Sequence, residues 1–301
     1  LKKIYLRFNF KEKNDSYIQT TITKITYTMK RNIFLFSIAL AAISLTSCRQ
    51  EEVAGDDDIQ LTSLETLAEE ILLDIDGLVD EALELRFGPL KSAVAAEGDY
   101  LSGCPVVKVD STAEAIILTL NFGEQCVGKD GKIRSGKIIV TSSYADISKK
   151  RVKTFENFLV DGKKVEGIIE KSMTPQKEEH MKTATIVEHV TITFPENKGS
   201  IHRQTNLTRE YRFYRPAIKR DNTVTSWGET DFTRLSGLKI TKKIDKETPL
   251  LFKVKCHQIV SGIVTFSTSD NQTWQVDYGD GNCDRKATLT RNGKTKTIFL
   301  H

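Results

Sequence analysis

Residues Ala115–Ser143 read AIILTLNFGEQCVGKDGKIRSGKIIVTSS. Two runs rich in Ile, Val, Leu and Thr flank Asp130-Gly131, a pair that tolerates positive φ and so closes tight hairpins. Within each run apolar and polar side chains alternate, which turns one face of an extended strand to a core and the other to water. The pattern recurs in KVEGIIE (164–170), ATIVEHVTITF (184–194), TREYRFYR (208–215) and GIVTFST (262–268), with further turn pairs at Asp161-Gly162 and Asn292-Gly293. Antiparallel pairing follows, and the lack of strand–helix alternation argues against a parallel sheet with a nucleotide crevice. Gly136, Gly167, Gly199, Gly262 and Gly293 stand beside strand-forming runs at steps of 31, 32, 63 and 31 residues, with Gly237 inside the double step. Glycines so placed mark bends or bulges. The expected fold is mainly β: a curved antiparallel sheet or barrel-like meander over 104–301, with one N-terminal α-helix.

Upstream the period changes from two to 3.6. Leu61, Leu64, Ala68, Ile71, Ile75, Leu78, Ala82 and Leu85 form a helical stripe, and Glu65, Glu69, Asp76, Asp80 and Glu84 lie mostly off it. Thr62 or Ser63 can cap the start, and Gly88-Pro89 stops the helix within a segment spanning 61–103. From Cys48 to Gly103 there are 15 acids and 3 bases, whereas Cys104 to His301 holds 33 bases and 23 acids. The stripe predicts a surface helix packed on the body. The alternative is that its acids meet the basic β region of its own or another chain. Asp74, Asp76 and Asp80 beside Gly77 lack the spacing of a calcium loop and read as a solvated face.

The compartment is read from Met29–Cys48, MKRNIFLFSIALAAISLTSC: two bases, an uncharged apolar run, then small residues before a cysteine. This is the layout of a secretory signal over 29–47, with an apolar core short for a membrane span. Leu45-Thr46-Ser47-Cys48 resembles the lipobox of bacterial lipoproteins, in which the cysteine is acylated and becomes the first mature residue. Cys48 is then the lipidation site, the membrane is a partner through its acyl anchor, and acid-rich 48–60 forms a hydrated tether. The expected location is the outer membrane, either periplasm-facing or exposed at the cell surface. Residues 1–28 carry no apolar block and are expected to be a mis-called upstream extension. Setting aside everything before Cys48 leaves 36 bases against 38 acids. Overall basicity therefore gives no argument for nucleic acid as a partner.

Four further cysteines are distributed over two similar hairpins. CPVVKV leads to NFGEQC, and CHQIVSG leads to DYGDGNC, each with an aromatic, Gly and an acid ahead of the second cysteine. Four cysteines allow three pairings, and this internal match favours Cys104 with Cys126 and Cys256 with Cys283. An oxidising compartment would preserve both bridges. Taken together, NFGEQCVGKDGKIRSGKIIVT and VDYGDGNCDRKATLTRNGKTK resemble an uncharacterised family of Gram-negative lipoproteins with paired FG-x-x-C and YGDG-x-C elements. The resemblance spans Cys104 to Leu300 and implies an envelope location and a β-rich body, without catalytic residues.

Reactive motifs do not stand out. The five histidines are scattered, and no GxSxG, SxxK, HExxH or P-loop is present. Asp277, Asp280, Asn282 and Asp284 are weak metal candidates; Lys286 occupies the register of the EF-hand glycine, so Asx turns fit them better. No metal or cofactor is expected. In TREYRFYRPAIKR, the residues Arg209, Tyr211, Arg212, Phe213, Arg215 and Lys219 make a candidate polyanion-binding set. The competing reading is a half-buried strand whose charges pair with the acidic helix. The function expected is a non-enzymatic binding or structural role at the envelope, with a glycan or protein partner. A carrier of a lipid or hydrophobic ligand in a half-barrel cavity is the alternative, and a hydrolase comes third.

Overall fold

Among the described residues, fourteen antiparallel strands join in one sheet that packs around one long helix. The computed structural model describes residues 56–87, 101, 104–143, 149–174, 178, 180–213, 221–234 and 237–300. Helix α1 spans Asp56–Phe87. The strands are β1 (Val106–Ser111), β2 (Ala115–Val127), β3 (Ile133–Ser143), β4 (Lys150–Val160), β5 (Lys163–Met173), β6 (Met181–Thr193) and β7 (Ser200–Arg212). They continue as β8 (Thr223–Arg234), β9 (Lys239–Ile244), β10 (Leu250–Lys253), β11 (Gln258–Thr268), β12 (Thr273–Asp280), β13 (Lys286–Arg291) and β14 (Lys294–Phe299). Neighbours in sequence are neighbours in the sheet, except that β9 and β10 share one lane between β8 and β11. Among the described residues β1 bonds only to β2 and β14 only to β13, so the sheet curls but keeps two edges.

Two of the three turn pairs act as their residue types demand, whereas at Asp130-Gly131 only Gly131 is positive, at 76°, within a longer turn between Val127 and Ile133. Asp161 and Gly162 adopt φ of 47° and 74°, and Asn292 and Gly293 adopt 50° and 75°, the positive values of tight hairpins. Gly136 and Gly167 bend the sheet from within strands. A Cβ on either would lie 2.1 Å from a carbonyl oxygen of the adjoining strand, that of Asn157 or His189, so no side chain fits. Gly199 and Gly293 stand in turns instead. The spacing of about 31 residues thus records two long strands and their turns, not one repeated bend.

The helix departs most from expectation. It begins at Asp56, so the last five residues of the expected tether are its first turns, where acids complement the positive end of the helix dipole. It ends at Phe87, ahead of Gly88-Pro89. It is not a surface helix: from Leu61 to Leu83 nearly every residue is buried, acids included. On the apolar side its backbone runs closest to β2 and β11. On the acidic side it faces cations of β4 to β9, and long Lys and Arg side chains bridge to it. The acids therefore meet the basic β region of their own chain. Asp76 and Asp80, read as a solvated face, are engaged there, and Asp74, read the same way, pairs instead with Lys132 and His257 on another side of the helix.

Both cysteine pairs lie at disulfide distance. Cys104 and Cys126, with Cα atoms 5.6 Å apart, tie the approach to β1 to the end of β2. Cys256 and Cys283, 6.1 Å apart, tie the turn after β10 to the turn after β12. Loops of 22 and 27 residues confer roughly 3 kcal/mol each by restricting the unfolded chain.

Candidate functional site

Two polar constructions occupy the interior, and they differ in what they can do. The first is a closed ionic network. Glu69 accepts from Arg203 at 2.7 Å, Arg209 at 2.8 Å and Lys242 at 2.9 Å; Glu65 takes Arg203 at 2.6 Å and Lys242 at 2.8 Å. Asp76 pairs with Lys153, Lys171 and Arg209 and accepts from the Tyr211 hydroxyl at 2.6 Å. Glu188 of β6 lies between Arg203 and Arg209. Burial raises the Glu69 carboxyl, but Lys242, Arg203 and Arg209 outweigh it and hold it well below the usual range. Asp76 behaves alike under Lys153, Lys171 and Arg209. Burial pulls the Lys171 ammonium down while Asp76 and Asp80 push it further up, and its net displacement is upward. Burial draws the Lys153 ammonium down although Asp76 pairs with it. Every charged member has an oppositely charged partner within the network, so the network braces the fold.

The second construction is a cavity of about 430 Å³ beside the N-terminal half of α1. Gln60, Ser63, Leu64, Leu67, Glu70 and Ile71, spaced three or four apart, turn one helix face into it. The opposite walls come from the turn after β2 (Lys132), the β4–β5 turn (Asp161, Lys163), the β6–β7 turn (Phe194 to Lys198), and His257 and Arg285 beside the second disulfide. Turns from opposite ends of the strands meet here because the sheet curls, and Asp74 joins them. Its carboxylate pairs with Lys132 on one side and with His257 Nδ1 at 2.9 Å on the other. The turns that follow Cys126 and Cys256, the two matched hairpins of the sequence, thus converge on one helical acid.

The cavity has an apolar wall of Leu64, Leu67, Ile71, Val160 and Phe194 and a charged rim in which Lys132, Lys163, Lys198 and Arg285 outnumber Asp161 and Glu196. Its volume lies in the range of small-molecule sites. Burial pushes the Glu70 carboxyl up to about 7, although the Ile259 N–H donates to it at 3.1 Å and Arg285 and Lys132 lie near. Burial likewise draws the Lys132 ammonium down to about 8 with Asp74 beside it. The Ser63 hydroxyl is buried without a hydrogen-bond partner. Ser63 is eleven residues from Asp74, roughly 16 Å along the helix, so Ser63 cannot join the Asp74–His257 pair as a hydrolytic triad.

A pH dependence follows from Glu70. Between its ordinary 4.5 and about 7 the folded chain holds a proton that the unfolded chain has lost, so this residue lowers stability as pH rises through that window. Glu70→Gln is expected to match wild type in urea unfolding near pH 4.5. Above pH 7.5 it should exceed wild type by on the order of 3 kcal/mol. A pH-independent difference between the two proteins would refute this.

The residues singled out in the sequence divide. Arg209 and Tyr211 point inward and are buried against Asp76 and Glu69, so they are withdrawn as polyanion ligands. The alternation of β7 makes them continue the inward phase of Ile201, Arg203 and Leu207. Arg212 faces outward and pairs with Glu210 at 2.8 Å, and Phe213 packs on the core beneath Lys182. Cys48, Arg215 and Lys219 lie outside the described residues, as do 1–28, the signal segment 29–47 and tether residues 48–55. Asp277, Asp280 and Asp284 accept from Gly279 N, Asn282 Nδ2 and Lys286 N in local turns, and the described residues contain no metal-holding group of three. Sequence reading missed Lys153, Lys171, Arg203 and Lys242. Their signal was a cation in the apolar phase of a strand, as with Lys242 between Ile240 and Ile244. Compared with known proteins, the chain matches no protein-family model and no curated protein.

Proposed function

We propose that this chain is a lipid-anchored protein of the bacterial cell envelope that holds a small ligand without transforming it. The observation that carries the reading is the cavity beside α1, preformed and braced by one disulfide, with an apolar wall and a rim where cations outnumber acids. A ligand with an apolar body and one acidic group fits that chemistry. Anchoring is argued from the lipobox-like Leu45–Cys48 and the apolar run before it. The helix occupies the concave side of the described sheet, so a carrier that stores its ligand across the whole half-barrel lacks the room.

Both halves of the proposal are testable in one preparation. Cells fed labelled palmitate are expected to incorporate it into wild type, recovered with membranes; Cys48→Ser should lose label and anchor together. Decanoate titrated into the purified protein is expected to bind, and Leu67→Trp, which fills the cavity, to weaken binding at least tenfold. Recovery of the wild type from cytosol with its leader intact would sink the anchoring half. Decanoate affinity indifferent to Leu67→Trp would sink the other.

A further inference from the structure

On the outer face of β6 to β9, remote from the cavity, side chains stand in rows set by strand register. His189, Gln204, Asp231 and Thr241 are directly paired across four strands, and Asn206, Glu229 and Lys243 form the next row. Two residues before Glu229 on β8, Trp227 pairs with Thr208; half-buried on the outward phase of the strand, it lines the groove and packs partly against the core. The chain leaves the sheet between β9 and β10 and returns at Leu250, and this excursion brings the Lys246 ammonium to 5.7 Å from the Trp227 ring centre. Between these rows and the excursion lies a groove of about 580 Å³.

We propose that this groove binds a neutral oligosaccharide, with Trp227 as the stacking platform. The negative face of an indole attracts the C–H-rich face of a pyranose ring. The side-chain amides of Gln204 and Asn206, each a donor and an acceptor, have no hydrogen-bond partner among the described residues and match pairs of sugar hydroxyls. Charge selects against a polyanion: Glu229, Asp231 and Asp245 line the groove with Lys243 and Lys246, and Lys243 is already taken by Asp245 at 2.9 Å. The register holds the rows rigidly, so few side chains need ordering on binding. The inference does not depend on the cavity or the anchor.

Titration of the purified protein with cellohexaose, chitohexaose, laminarihexaose and maltohexaose, followed by calorimetry and tryptophan fluorescence, tests it. At least one neutral hexaose is expected to bind at or below millimolar concentration and perturb Trp227; the other tryptophan, Trp274, is buried inside and should stay silent. Trp227→Ala should weaken that binding tenfold or more. Asn206→Ala, on an exposed strand position where folding is not at risk, should weaken it about threefold or more. Heparin binding more tightly than every neutral hexaose would overturn the proposal. So would the absence of any hexaose response at 10 mM, or binding indifferent to both variants.

Discussion

A chain from which Asp56–Phe87 has been removed is expected to give no cooperative unfolding transition, because the sheet is built around that helix. Lys153, Lys171, Arg203, Arg209 and Lys242 are all buried, and Glu65, Glu69, Asp76 and Asp80 of α1 neutralise them, with Glu188 the sheet's own contribution. Without the helix these cations would either confront one another at low dielectric or draw water into the interior. An uncompensated buried charge costs several kcal/mol, and the four left over once Glu188 is counted exceed the stability of an ordinary domain. The loss of Leu72, Ile75, Leu78 and other apolar contacts adds to this. Circular dichroism and urea titration of the truncated body read the result directly. Adding a peptide of residues 56–87 is expected to restore a cooperative transition. A truncated body that unfolds cooperatively alone would show that the helix is an accessory.

Glu69→Ala is expected to lower stability by about 3–5 kcal/mol, the largest effect of any single substitution proposed, because it leaves Arg203, Arg209 and Lys242 without their shared carboxylate. Glu166→Ala serves as control. Its pair with Lys164 is exposed, and its removal should change stability by less than about 1 kcal/mol. Equal effects at the two positions would mean that water reaches the network. The depressed carboxyls of Glu69 and Asp76 set the acid limit. A carboxylate held below its unfolded value stabilises fully above that value and loses its contribution as pH falls through the folded one. Acidification below the ordinary 4.5 of glutamate should therefore destabilise wild type progressively, and Glu69→Ala, lacking this carboxylate, should lose less over the same range.

The sheet was legible because its strands alternate and its turns carry Asx-Gly pairs, both consequences of backbone geometry that act locally. The pairing of Cys104 with Cys126 and of Cys256 with Cys283 was legible because the chain presents the same motif twice. The depth of α1 was not. Hydropathy assigns acids to water, and Glu65, Glu69 and Asp76 contradict it only in the company of cations found 77 to 177 residues later. One regularity pointed to the answer: Glu65, Glu69, Asp76 and Asp80 lie four, seven and four apart and so share a helix face, while Arg203, Arg209 and Lys242 occupy the apolar phase of their strands. Arg209 and Tyr211 were misassigned for the same reason, since a basic-aromatic strand looks alike whether its charges meet solvent or a buried acid. The cavity was beyond reach, as it joins turns from opposite ends of the sheet.

The order in which the ribosome delivers these parts has its own consequence. The helix emerges first, yet Asp58 waits for Arg291, 233 residues downstream, and Thr62 for Trp274, 212 residues downstream. At ordinary elongation rates of roughly 5–20 residues per second, that interval is on the order of 10–50 s. The helix therefore acquires some of its partners late, whereas consecutive strands can pair as soon as each is made. The N-terminal end of α1 is thus locked in place only once the last strands have been made.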